Sequence, residues 1–128
     1  MAGEPELEQV EEIRLTLPAV AAYARVARLA VAGLATRVGF SYDEIEDLRI
    51  AVGEVCSLLL DAPGATGSRL VFRCEVSVAA LRVEAGLEPP GPLGAVGDLS
   101  RQILTAVVDE VDLGTDPAAI VVVKRRRP

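Results

Sequence analysis

Residues 46–61, Glu46-Asp47-Leu48-Arg49-Ile50-Ala51-Val52-Gly53-Glu54-Val55-Cys56-Ser57-Leu58-Leu59-Leu60-Asp61, read as one amphipathic helix. Together with Ile45, the residues Leu48, Val52, Val55 and Leu59 recur at alternating spacings of three and four, which draws a single apolar stripe along a helix. Glu54 stands beside that stripe, and Leu58 follows one helical turn later. Upstream, Ser41-Tyr42-Asp43-Glu44 has the form of a capping box, so the helix should begin there. Pro63-Gly64 and Gly67 close it.

Working outward, Ile13, Leu15 and Leu17 alternate with Arg14 and Thr16, the period of a strand with one buried face, and Pro18 ends it. From Ala19 to Val38 the pattern turns helical. Val20, Tyr23, Ala27, Ala30, Val31 and Leu34 line one side, Arg25, Arg28 and Arg37 lie outside it, and Gly39 terminates the helix. Beyond the central helix, Arg69 to Val76 and Val78 to Ala85 read as two strands close enough to form a hairpin. Residues 86–97 hold four Gly and three Pro and read as a loop. Asp98 is placed to cap a third helix over Leu99 to Val111, and a turn through Gly114 to Pro117 leads to a last strand, Ala118 to Lys124. Elements in this order predict an α+β fold: a two-layer sandwich with a mostly antiparallel four-stranded sheet and three helices on one face.

Composition narrows the function classes. The chain has 128 residues, enough for one domain, with 51% hydrophobic and 3% aromatic residues, so the core must be built from Val, Leu, Ile and Ala. A net charge of −6 argues against direct nucleic-acid binding, which needs a basic field. Much of the acid lies in Glu4, Glu6, Glu8, Glu11 and Glu12, so residues 1–11 read as a flexible acidic N-terminus ahead of a single domain over 12–126. The basic run Lys124 to Arg127 reads as a solvated tail. No secretory signal opens the sequence and no apolar run is long enough to span a bilayer, so no membrane role and a cytoplasmic location are expected.

Most catalytic signatures are missing. Histidine is absent, which removes the commonest general base and metal ligand along with every Ser/His/Asp or Cys/His arrangement. Cys56 and Cys74 have no companions for a zinc site and sit in apolar contexts, as buried thiols do. No Gly-Lys-Ser/Thr follows a glycine loop, and the glycines at 91, 94 and 97 do not make a dinucleotide fingerprint. Adjacent carboxylates such as Glu46-Asp47 and Asp109-Glu110 point different ways on a helix and read as solvated.

The motifs that remain carry a resemblance. Ile13-Arg14-Leu15-Thr16-Leu17-Pro18, Tyr23-Ala24-Arg25-Val26, Ile45 to Ser57, Ile103 to Val111 and Ile120 to Lys124 follow one another as in the anti-sigma factor serine kinases of the stress-response and sporulation type. These are relatives of histidine-kinase ATPase domains, and the resemblance covers roughly residues 12 to 126. Glu54-Val55-Cys56 and Ile103-Leu104-Thr105-Ala106 look closest to the divergent actinobacterial anti-sigma-F branch.

The resemblance implies a protein that holds a sigma factor away from RNA polymerase and is released by an anti-anti-sigma partner, the exchange being switched by ATP-dependent serine phosphorylation. It also implies a homodimer. Carried over by position, Glu54 matches the general base, and Gly86 is what survives of the adenine-reading segment. Leu58 stands where an asparagine should bind magnesium, and a hydrocarbon side chain cannot ligate a hard cation. The phosphate lid falls on the Pro-rich loop 87–97, whose prolines lack backbone N–H groups. Phosphoryl transfer depends on metal and positioning, so neither ATP nor magnesium is expected as a working cofactor. The partner face implied is Tyr23, Arg25, Arg28 and Leu29, with Arg25 open between a plain surface arginine and an interface anchor. The leading expectation is an anti-sigma factor with lost or impaired kinase activity. The alternatives are an active ATP-dependent serine kinase acting on an anti-anti-sigma protein, and a dimerisation or scaffold module of the same fold.

Overall fold

The computed structural model describes residues 9–128, and among them one α+β layer pair is built. Five strands, β1 (Glu11–Pro18), β2 (Arg69–Val76), β3 (Ala80–Glu88), β4 (Glu110–Thr115) and β5 (Ala118–Arg125), form an antiparallel sheet in the order β1-β2-β3-β5-β4. Three helices, α1 (Ala24–Arg37), α2 (Tyr42–Leu60) and α3 (Asp98–Val107), cover one face. A short 3-10 turn, Ala21–Tyr23, leads into α1, where the sequence suggested unbroken helix from Ala19.

The α2 boundaries follow from its caps. Ser41 Oγ accepts from the Glu44 N–H at 3.2 Å, and Glu44 Oε1 accepts from the Ser41 N–H at 2.7 Å, closing the box that the sequence spelled out. Leu48, Val52, Val55 and Leu59 are buried with Ala51, Cys56 and Leu58. Against this face α1 sets Ala27, Val31 and Ala35, small enough to bring the two helices close; Ala30, Val20 and Tyr23, which the periodicity placed on the same side, are exposed. The sheet contributes alternate residues: Leu70, Phe72, Cys74 and Val76 on β2, Leu81, Val83, Ala85 and Leu87 on β3, and Ala118, Ile120 and Val122 on β5. Cys56 and Cys74 are both free and buried, and burial pushes each thiol up to about 11.

Four expectations need correction. The sheet has five strands, not four, because the third helix stops at Val107 and residues 110–115 pair with β5, Val111 opposite Val122 and Leu113 opposite Ile120. Val111 continued the i, i+4 series of Leu99, Ile103 and Val107, but Val111 and Leu113 also alternate with Glu110 and Asp112, and the free edge of β5 supplies the partner for that strand pattern. Second, β1 already starts at Glu11, opposite Val76, so the acidic segment ends sooner than residue 11; residues 1–8 lie outside the described residues. Third, β3 runs through Gly86 and Leu87 to Glu88, where the Gly and Pro content predicts loop, because Leu87 keeps the inward alternation. Finally, α3 is preceded by Gly97 at the N-cap, with Asp98 as its first residue and no side-chain cap.

The basic run at the C-terminus is solvent-exposed at Arg125 to Arg127 but is not a free tail, because it is bonded to the body of the protein. Lys124 is buried, the Arg126 N–H donates to Ala79 O at 2.8 Å, and Arg126 Nε donates to Val78 O at 2.8 Å. The Arg127 N–H donates to Glu44 Oε2 at 2.7 Å. Asp109 Oδ2 accepts from the Arg125 N–H at 2.7 Å, and Asp109 Oδ1 from Arg127 Nη2 at 3.1 Å. The acidic residues of α2 and of the α3–β4 connection are thus complements for the basic run.

On the open face of the sheet, register-opposed charges form a ladder: Arg73–Glu84 at 2.6 Å, Arg69–Glu88 at 3.5 Å and Arg82–Glu75 at 3.8 Å. Such exposed pairs contribute little individually but keep the uncovered face polar. Beside them β3 and β5 approach closely at Gly86, where a Cβ would come within 2.9 Å of Ala118 O.

Two predictions follow from this packing. Gly86→Ala forces β3 and β5 apart and should lower stability by about 1–3 kcal/mol, read by urea denaturation. Glu44 is desolvated, which alone would raise its pKa, but the Ser41 and Arg127 backbone N–H groups outweigh this and hold it below its ordinary value. The Arg125 N–H lowers Asp109 in the same way. Groups whose folded pKa is depressed add stability above the unfolded pKa, and that stability is lost as pH falls through the folded value. The melting temperature should therefore drop on acidification below the ordinary carboxylate range, and Glu44→Gln should make that dependence shallower.

Candidate functional site

Glu54 lies on the fourth turn of α2, half-buried, and faces α3. Its Oε2 accepts a 2.6 Å hydrogen bond from Ser100 Oγ, so the carboxylate matched to a general base is engaged within the protein. One turn on, Leu58 is 9% exposed and part of the apolar core. Two turns before Glu54, Asp47 Oδ2 accepts from Lys124 Nζ at 3.0 Å, and the same ammonium donates to Val107 O at 2.9 Å. Asp47, expected to be solvated, is therefore bonded to a lysine that β5 delivers from beneath. Among the described residues no three His, Cys, Asp or Glu side chains cluster closely enough to hold a metal ion.

The Pro-rich segment between β3 and α3 is fastened to the body of the protein. The Leu93 N–H donates to Thr115 O at 2.8 Å, and Gly91 O accepts from the Ala118 N–H at 2.7 Å, so the segment runs alongside the β4–β5 turn. Leu93 is buried and Val96 packs against the core. Gly94 passes the end of α2 so closely that a Cβ there would lie 3.5 Å from Asp61 O. Pro89, Pro90 and Pro92 offer no N–H, and the Leu93 N–H is used internally.

Gly86 is not brought to Glu54. Its neighbours Ala85 and Leu87 point under the helices, so Gly86 faces the opposite, open side of the sheet. There it lines a shallow cavity of about 400 Å³ with Val71, Arg73, Glu84, Pro90 and Ala119.

The four residues of the implied partner face divide. Tyr23 and Leu29 are 40% and 56% exposed, Arg25 is exposed, and Val20 and Val26, which the sequence reading did not include, extend the exposed apolar surface around them. Arg28 is half-buried and folds back over α2: a Cβ on Gly53 would lie 3.6 Å from its Cδ. Its guanidinium is near enough to Cys56 to oppose the burial that raises that thiol. Because α1 carries three arginines and no acidic residue, this face is positive on a negatively charged protein.

Two site residues escaped the sequence reading. Lys124 had a legible signal, since it continues the inward alternation Ala118, Ile120, Val122 on β5. Ser100 had none; only the packing of α3 on α2 brings it to Glu54.

Comparison with known proteins adds the relationship. No protein-family model matches the chain. Serine-protein kinase RsbW of Bacillus thuringiensis (strain Al Hakam) is 47% identical over 51 residues, 40% of this chain and 32% of that protein. The RsbW proteins of Bacillus cereus (strain B4264) and Bacillus anthracis (strain A0248) match to the same extent. The match thus spans about a third of the length of these curated relatives. In structure, the chain resembles the crystal structure of the RsbU and RsbW domains of Rv1364c from Mycobacterium tuberculosis, with a TM-score of 0.66 at 16% identity over 92% of this chain and 33% of that one. The fold is therefore shared with that structure, and over the matched residues the chain is a homologue of the RsbW serine-protein kinases.

Proposed function

We propose that this chain is an anti-sigma factor that acts by stoichiometric binding, holding a sigma factor until an anti-anti-sigma protein displaces it, with the serine kinase activity lost. The observation that carries the reading is the pairing of RsbW homology with Leu58 in the apolar core. A magnesium ion needs oxygen ligands, and Leu58 offers none. Ser100 already occupies one oxygen of Glu54, and the segment that would cradle phosphates is fastened by Leu93 and Gly91 to the β4–β5 turn. The residues present do not fit a magnesium nucleotide. We place the protein in the cytoplasm, where a sigma factor is met; no helix among the described residues is long and apolar enough to cross a membrane.

The partner surface in this reading is the outer face of α1 and the 3-10 turn before it, with Tyr23 and Leu29 as apolar anchors and Arg25 as the charged contact. Arg28 supports it from behind by packing on Gly53. We also propose that two copies associate, as the family resemblance implies; sedimentation of the purified chain at micromolar concentration should give the mass of a dimer.

The reading is tested by capture of purified sigma factors on the immobilised chain. At least one should bind, and Arg25→Glu should weaken it by at least about tenfold, as for a charged hot-spot residue. Binding of no sigma factor would sink the proposal, and an unchanged affinity in Arg25→Glu would favour the scaffold reading. Calorimetry with ATP, with and without Mg²⁺, should show no binding in either case; magnesium-dependent binding would restore the kinase.

A further inference from the structure

Of the three helices α3 is the most lightly anchored by apolar contact. It has ten residues, of which Leu104 is buried, Ile103 and Val107 are half-buried, and Leu99 is 70% exposed. A helix this short does not hold itself together in water, so its docking depends on its contacts. Two of those contacts are polar and both end on carboxylates of α2. Near the start of α3, Ser100 Oγ donates to Glu54 Oε2 at 2.6 Å. At its end, Val107 O accepts from Lys124 Nζ at 2.9 Å, and the same ammonium is held by Asp47 Oδ2 at 3.0 Å. Asp47 and Glu54 are two turns apart on α2, as Ser100 and Val107 are on α3, so the two ties bind the helices at matching ends.

We propose that Asp47 and Glu54 form a two-point clamp that makes α3 a releasable element, docked when both ties are made and freed as a unit when either is lost. Each tie engages a charged group and is stronger than a neutral hydrogen bond. The ties also differ in kind. Lys124 is itself buried, so its bond to Val107 O is shielded from water, while the Ser100–Glu54 bond lies at the half-buried rim and is open to competition by any stronger donor to the carboxylate. Release would uncover Leu104 and the side of α2 that carries Glu54. The control point is then the rim bond, and the device operates whichever partner the α1 face binds.

The test is amide hydrogen exchange on the full chain, which involves neither sigma factor nor nucleotide and so stands apart from the functional reading. Ser100→Ala removes the rim tie while raising helix propensity, so a loosening of α3 cannot be a propensity effect. It should speed exchange of residues 101–107 by about tenfold while the β2 and β3 amides stay unchanged. Lys124→Met removes the other tie and should speed exchange across the same residues, 101–107, as Ser100→Ala does. Glu54→Gln keeps an oxygen acceptor for Ser100 and should fall between the wild type and Ser100→Ala. Unchanged α3 exchange in either Ser100→Ala or Lys124→Met overturns the clamp, and so does an increase shared equally with β2 and β3.

Discussion

The structure depends on α2 being buried on three sides at once. Its stripe of Leu48, Val52, Val55 and Leu59 lies within the core, α1 closes on it through Ala27, Val31 and Ala35, and α3 packs along a further side. A helix with so little free surface cannot place its charged groups casually. Every carboxylate on its inward margins finds a partner: Glu44 two backbone N–H groups, Asp47 the Lys124 ammonium, and Glu54 the Ser100 hydroxyl. No buried side-chain nitrogen or oxygen among the described residues lacks a hydrogen-bond partner, so the polar seam around α2 is closed.

That seam changes the meaning of the residues that first attract notice. Glu54 looks like a survivor of an active site and Asp47 like a solvated carboxylate, yet each is bound to a group supplied by another element of the same chain. The basic run at the C-terminus looks like a charged tail, yet it joins β5 to the start of α2 and to Asp109. In a small core with hardly any aromatic side chains, such directional bonds add what hydrophobic burial does not: they select one placement of each helix among several of similar apolar area.

Much of this could be read from residue order. The capping box, the α2 stripe, the β2–β3 hairpin and the buried thiols all rest on local patterns, and local patterns survive in the fold unless a neighbour overrides them. The errors fell where a neighbour did. Residues 108–113 suit a helix or a strand nearly equally until β5 presents an unpaired edge, and then the strand wins. Gly86 resembled the remnant of a nucleotide motif; in the sheet it faces away from Glu54 and instead allows β3 and β5 to approach. The Ser100–Glu54 bond joins residues 46 positions apart, and no periodicity announces such a contact.

The fold and the chemistry are under separate constraints here, and Leu58 shows how they part. In the α2 stripe an additional leucine adds apolar burial of about 1.5–3 kcal/mol, which reinforces the same core that Val55 and Leu59 build. In the proposed reading, which matches this position to a magnesium ligand, a leucine offers no oxygen to the ion. Packing therefore tolerates, and even rewards, a change that phosphoryl transfer does not. The outer face of α1 feels neither pressure, because its exposed Tyr23, Arg25 and Leu29 serve neither the core nor the α2–α3 seam. A surface of that kind can carry the proposed binding role independently of the residues around Glu54.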